Sequence, residues 1–146
     1  MWAAGDIPEG VEALGDKGEG GPLFPITTAR VGAGVCMAMR RDVLMEVGPF
    51  DPALGAGTAT RGGEDLDMFA RILATGDVIV HTPDALVHHR HRVDEAGLDK
   101  QIRGNGSGMA ALLTKAIIEK PSVLCTLLGR VPAVLKRLKP GGARVA

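Results

Sequence analysis

Glu64 and Asp65, which directly follow the glycine pair 62–63, have the residue types and spacing best suited to catalysis. A flexible glycine hinge delivers both carboxylates to the start of a predicted helix. Unsatisfied backbone N–H groups there keep a carboxylate ionised, as a general base must be at neutral pH. Acids in a first helical turn more often serve only as caps, and the spacing alone favours that interpretation. The long glycine-rich loop 55–63 favours the catalytic interpretation, because capping a helix does not require such a loop.

A second candidate is the segment 88–92, which has the sequence His-His-Arg-His-Arg and follows a predicted strand. In an extended segment His89 and His91 point to the same face, where either imidazole can ligate a divalent metal. The neighbouring arginines can meet phosphate oxygens. Because metal ligands normally come three or four together, a basic surface edge is the favoured interpretation of these residues taken alone.

A third candidate is the basic amphipathic segment 121–144, in which lysines and arginines flank apolar side chains. Such a segment can lie in a membrane interface or pack on the domain as its last helix, and the pattern favours neither. Residues 100–146 carry nine basic side chains and one acid, although the whole chain is formally neutral. This asymmetry indicates anionic lipid or another acidic surface as a partner.

The composition of the 146-residue chain fits one domain and excludes several classes of protein. Three Phe, one Trp and no Tyr argue against a stacking platform for single-stranded nucleic acid. Cys36 and Cys125 stand apart in apolar contexts, so we expect buried thiols, no disulfide framework and a reducing, cytosolic compartment. The sequence has no signal-peptide pattern and no apolar stretch long enough for a bilayer, which predicts a soluble or peripheral protein.

The elements that must position these residues include both strands and helices. The helix predicted over 64–75 has the clearest apolar stripe, with three acids in its first turn, where the helix dipole favours negative charge. The other predicted helices cover 40–47, 95–104, 109–120 and 122–138. Glycines at 104–108 are expected to separate the middle two, and Gly129 and Pro132 to break the last. The predicted strands cover 26–39, 78–80 and 85–89.

Five short motifs occur in order: Pro22-Leu23-Phe24-Pro25, Gly32-Ala33-Gly34 leading into Met37-Ala38-Met39-Arg40-Arg41, Gly48-Pro49-Phe50-Asp51, Gly63-Glu64-Asp65-Leu66-Asp67 and His89-Arg90-His91-Arg92. In this order and spacing they resemble the C-terminal half of family 2 glycosyltransferases. The resemblance covers roughly residues 22–120, most of the chain. Its specificity lies in the register of all five motifs, since each alone is a weak signal.

The resemblance implies an α/β fold of the GT-A type, a nucleotide-diphosphate-sugar donor, a glycan or lipid-linked acceptor, and inversion at the anomeric carbon. Asp65 matches the general base that deprotonates the acceptor hydroxyl, and Glu64 would help set the acceptor's position. His89 matches the histidine that in several members completes the shell of a Mg²⁺ or Mn²⁺ on the diphosphate. The loop 55–63 would lie along the acceptor cleft. Such a displacement needs a base opposite the leaving group and a cation that neutralises the departing diphosphate.

The N-terminal half, which in the family holds the donor nucleotide and ends in an Asp-x-Asp strand, has no counterpart in this sequence. The expected organisation is therefore a flexible lead-in over 1–21, the C-terminal half of a GT-A domain over 22–120 and a basic amphipathic tail over 121–146. We expect a truncated or split transferase, inactive alone, in the cytoplasm or peripheral on the inner face of the membrane. The alternative is a non-catalytic remnant or a membrane-associated interaction module that uses the basic tail.

Overall fold

The computed structural model describes residues 12–14, 34–82, 86–88 and 94–138. These residues form β1 (Glu12–Leu14), α1 (Arg41–Val47), α2 (Glu64–Ala74), β2 (Ile79–His81), α3 (Glu95–Glu119) and α4 (Ser122–Leu138). β1 pairs with β2 in antiparallel fashion, with Glu12 opposite His81. Within the described ranges this pair is the only sheet. The described elements are thus mostly helical, and by themselves they do not support a GT-A-like α/β fold.

Helix α2 lies at the centre of the packing, in contact with α1, α3 and β2. Phe69 and Ile72 of its predicted apolar stripe are buried, whereas Leu66 and Leu73 are half-buried. Met68, beside the stripe, is completely buried. Met68 forms the core cluster with Val43 of α1 and Ile72 of α2. Burying a side chain of this size contributes about 1.5–3 kcal/mol. The core therefore fixes the helix whose first turn carries Glu64 and Asp65.

The strand predicted over 78–80 and the helices predicted over 40–47 and 64–75 are confirmed as β2, α1 and α2. The boundaries follow glycines. Helix α1 ends at Gly48, whose N–H donates to the Leu44 carbonyl, and α2 begins after Gly63.

Two predicted strands are wrong where the structure describes them. Residues 34–39 form a turn followed by irregular chain, and 86–88 are irregular as well. The remainder of both segments lies outside the described residues. Apolar side chains mark these segments as strand-like, yet Val35 and Leu86 are exposed. A short apolar run does not distinguish a buried strand from an exposed connection.

The break predicted at glycines 104–108 is also wrong, because α3 runs without interruption from Glu95 to Glu119. Glycine lowers helix propensity by about 1 kcal/mol per residue, but tertiary contacts override that preference. Helix α4 likewise continues through Gly129 and Pro132. Both helices show that glycine and proline positions were weaker stop signals than the periodicity around them.

Both thiols and the lead-in differ from expectation. Cys36 and Cys125 are exposed, so the prediction that they are buried hydrophobes is wrong. Their apolar neighbours Val35 and Leu124 are exposed too, which removes the burial that the local composition indicated.

Residues 12–14 of the predicted lead-in form β1. None of the helices in the described ranges has the length and apolar character needed to cross a bilayer.

Candidate functional site

The Asp65 carboxylate lies at the first turn of α2 and is held by two backbone N–H groups. Oδ2 accepts a hydrogen bond from Gly34 at 2.8 Å, and Oδ1 accepts one from Leu66 at 2.8 Å. The residue is half-buried, and no cation of the described residues pairs with it. A carboxylate has about four lone-pair positions, so two remain for a further proton donor. Asp65 is thus oriented by the backbone and is not paired with a basic side chain within the described ranges.

Gly34 can approach Asp65 only because it lacks a side chain. A Cβ at this position would lie 2.7 Å from Asp65 Cβ and 2.8 Å from Met37 Cε. Contacts this short force the neighbouring atoms apart. The Gly32-Ala33-Gly34 motif, distant in sequence, is therefore joined to the Glu-Asp motif through its last glycine.

Glu64 lies against the glycine-rich loop that precedes α2. A Cβ at Gly55 would lie 3.1 Å from Glu64 Cδ, so the side chain and the loop backbone are in close contact. The loop is closed by the Gly55 N–H, which donates to the Gly62 carbonyl at 3.3 Å. The Thr58 hydroxyl donates to the Gly55 carbonyl or to Thr60. The loop is consequently ordered by its own hydrogen bonds and presents its backbone beside Glu64.

The end of this loop packs directly on two glycines of α3. A Cβ at Gly108 would lie 2.4 Å from the Gly62 carbonyl carbon and 2.7 Å from the Gly63 nitrogen. Gly104 lies one helical turn earlier and faces the Arg61 carbonyl, 3.4 Å from where its Cβ would be. Residues four apart share one face of a helix, so this glycine pair forms a shallow groove that receives the loop.

A partly buried network of ion pairs connects α2 with α3 and with the segment that follows α1. Asp67 is 3% exposed, and its Oδ1 accepts from Lys115 Nζ at 2.7 Å while its Oδ2 accepts from Arg71 Nε at 2.9 Å. Lys115 Nζ also donates to Asp51 Oδ2 at 2.9 Å. Buried charges need such partners, since an unpaired carboxylate at this depth is strongly unfavourable.

Arg71 extends the network to the segment after α1. Its guanidinium donates to the carbonyls of Val47, Gly48 and Pro49. The Gly-Pro-Phe-Asp motif is therefore bound to α2 through Arg71 and to α3 through the pair of Asp51 and Lys115. The sequence analysis missed Lys115, Arg71 and the role of Asp67.

Only one ion pair of this network could have been predicted from the sequence. Asp67 and Arg71 are spaced i, i+4 in a predicted helix, a spacing that brings the two side chains together. Lys115 and Asp51 are 64 residues apart, and no local pattern connects them.

The charges of Asp51 and Lys115 depend on each other. The hydrogen bond from Lys115, followed by one from the Ala53 N–H, lowers the pKa of Asp51. For Lys115 burial acts to lower the pKa, but the hydrogen bonds to Asp67 and Asp51 outweigh it and the pKa is raised. Both shifts favour the charged forms, so the pair of Asp51 and Lys115 is stabilised as an ion pair at neutral pH.

We expect Lys115→Met to lower the free energy of unfolding by about 2 kcal/mol, because Asp67 stays buried with Arg71 as its remaining partner. Urea denaturation measures this. The control Lys100→Met removes an exposed lysine from the same helix and should change stability by less than about 0.5 kcal/mol. Equal effects of the two substitutions would contradict the network.

The same network predicts a pH dependence. The Asp51 contribution is present above the unfolded carboxyl pKa of about 3.9 and is lost as the pH falls through the lower folded value. The Lys115 contribution is present below about pH 10.4 and is lost as the pH rises through the higher folded value. The difference in unfolding free energy between the wild type and Lys115→Met should therefore narrow toward both extremes of pH, and a constant difference across pH would contradict this.

The histidine segment is not part of the described site. His89 and His91 lie outside the described residues, and His88 is exposed in irregular chain. Among the residues that the structure describes, no three His, Cys, Asp or Glu side chains converge as metal ligands. The assignment of His89 to a Mg²⁺ or Mn²⁺ therefore stays a prediction from the resemblance.

The site thus contains Glu64 and Asp65 as predicted, at the first turn of α2 and beside the glycine loop. Three motifs of the resemblance meet there through Gly34, Asp51 and Asp67. The other two, at 22–25 and 89–92, lie outside the described residues. Comparison with known proteins finds no matching family model, no matching curated protein and no matching solved structure.

Proposed function

We propose that this chain is the acceptor-side part of an inverting glycosyltransferase, with Asp65 as its general base. The observation that carries the proposal is the state of Asp65: half-buried, fixed by the N–H groups of Gly34 and Leu66, and paired with no basic side chain of the described residues. A carboxylate so held keeps its direction while two lone-pair positions remain for a substrate hydroxyl.

The interlocking of the motifs supports the same proposal. Gly34 touches Asp65, while Asp51 and Asp67 share Lys115. Motifs that serve one active site should be adjacent in space, and the three that the structure describes are. The whole arrangement positions one carboxylate pair at the end of a rigid helix.

The loop 55–63 supports a role for Glu64 in acceptor binding. Arg61 has a φ of 60°, a left-handed conformation uncommon for a residue with a side chain. Strained backbone of this kind persists only where its surroundings enforce it and is concentrated at functional sites. In our proposal the loop lines the acceptor cleft, and Glu64 accepts a hydrogen bond from a second hydroxyl of the acceptor.

The proposed reaction needs one proton transfer from this chain. Asp65 takes the proton of the acceptor hydroxyl as its oxygen bonds to the anomeric carbon of the donor. The bond from that carbon to the nucleoside diphosphate breaks on the opposite face, which inverts the configuration. A Mg²⁺ or Mn²⁺, with His89 as one ligand, would neutralise the diphosphate when bound. The GT-A-type α/β fold is part of this proposal. The described elements alone do not support it.

Acceptor binding tests the proposal without the donor-binding half. In ¹H–¹⁵N NMR titrations with a panel of monosaccharides and disaccharides, we expect at least one sugar to shift the amides of Gly34, Leu66 and the loop 55–63. Amides of α4 should stay in place. An Asp65→Asn variant should bind the sugar more weakly. A panel that leaves these amides unchanged would favour the alternative, a non-catalytic interaction module.

A further inference from the structure

Helix α4 presents an apolar stripe to solvent. Its members are spaced i, i+4, i+7 and i+11 and are between 43% and 60% exposed: Leu124, Leu128, Val131 and Leu135. This spacing puts them on one face of the helix. Val123 and Leu127 are half-buried, and α4 contacts α3, so the stripe is distinct from the face that packs on the protein. The stripe is continuous for three turns.

The surroundings of the stripe are basic. Residues 120–146 carry six lysines and arginines and no acid. Lys120 and Arg130 are both exposed. An apolar stripe in a segment whose charged side chains are all basic is complementary to a surface with an apolar interior and an anionic boundary.

This charge distribution argues against a second copy of the chain as the occupant. A symmetric pairing of two α4 helices would bring three basic residues of one helix, Arg130, Lys136 and Arg137, beside the same three of the other. Like charges across an interface disfavour association.

The length of α4 also fits a position on the membrane surface. Its 17 residues make a helix of about 25 Å, shorter than the bilayer's hydrocarbon core of about 30 Å.

We propose that α4 binds the interface of an anionic lipid bilayer, with the stripe of Leu124, Leu128, Val131 and Leu135 at the acyl boundary and its basic neighbours among the headgroups. The inference is independent of the proposed transferase activity. It assigns the chain a peripheral membrane site at the end of the fold farthest in sequence from Asp65.

Vesicle co-sedimentation of the full chain tests the proposal. We expect binding to vesicles of phosphatidylcholine with one-third phosphatidylglycerol, little binding to pure phosphatidylcholine, and weakening of the first by added salt. Leu128→Glu should weaken binding by about tenfold or more, through lost apolar contact and added negative charge. Arg130→Gln should weaken it roughly fivefold, the effect of one basic side chain near an anionic surface.

The matched control is Ile102→Glu, since Ile102 is 60% exposed like Leu128 but lies on α3. It should leave lipid binding within about twofold, because it removes no part of the stripe. Retained lipid binding by Leu128→Glu would overturn the proposal, and so would absence of binding to the anionic vesicles. A dimer in analytical ultracentrifugation that Leu128→Glu dissociates, without lipid binding, would overturn it in favour of a second copy.

Discussion

Asp65→Asn should reduce glycosyl transfer by roughly 10²–10⁴-fold in an assay that includes the donor-binding half, with donor binding unchanged. Asparagine keeps the size of the side chain, and its one oxygen can still accept from the Gly34 N–H. The Leu66 N–H loses its carboxylate partner, but this N–H lies in the first turn of α2, so the fold should persist. Asparagine cannot take a proton from the acceptor hydroxyl. The measurement is the initial rate of transfer, together with a separate titration of the nucleotide-sugar donor.

The control for this substitution is Asp99→Asn, which changes an exposed aspartate that pairs with Arg103 on α3. It should leave the transfer rate within about twofold, as most surface substitutions do. Full turnover by Asp65→Asn would refute the base assignment. Loss of both turnover and the folded far-ultraviolet spectrum would instead identify Asp65 as a structural cap of α2.

Gly108→Ala should strongly destabilise the folded chain. The added methyl would lie 2.4 Å from the Gly62 carbonyl carbon, and this neighbour is backbone that no rotamer change can move. Overpacking of this kind costs about 1–3 kcal/mol, and the rigid contact places Gly108→Ala at the upper end. Chemical denaturation should show the loss, and amides 55–63 should become less protected from hydrogen exchange.

Gly106→Ala provides a matched comparison within the same helix. No atom lies within 4 Å of where its Cβ would be. Alanine should therefore stabilise α3 by up to about 1 kcal/mol through its better helix propensity. The opposite signs of two identical substitutions, two residues apart, distinguish a packing groove from a flexible linker. Equal destabilisation by both would contradict the groove.

The first turn of α2 was predictable because local rules agree there. The apolar stripe, the acids of the first turn and the preceding glycines all indicate a helix start at residue 64. Glu64 and Asp65 could be named as candidates from that agreement alone.

The partners of these residues could not be predicted. The contacts of Asp65 with Gly34, of Asp51 with Lys115 and of Gly62 with Gly108 are set by tertiary packing. The glycines of α3 were taken as a break because propensity penalises them, whereas the folded chain uses two of them for close approach. Exposure of Cys36 was missed because local apolar composition does not fix burial.

A structure of the chain with a bound acceptor sugar tests the central claim most directly, through the distance between the Asp65 carboxylate and the acceptor hydroxyls. The account predicts one hydroxyl oxygen at about 2.6–3.2 Å from a carboxylate oxygen that still accepts the Gly34 N–H. A sugar bound elsewhere, or one in this cleft whose hydroxyls all lie beyond hydrogen-bond reach of Asp65, would contradict it.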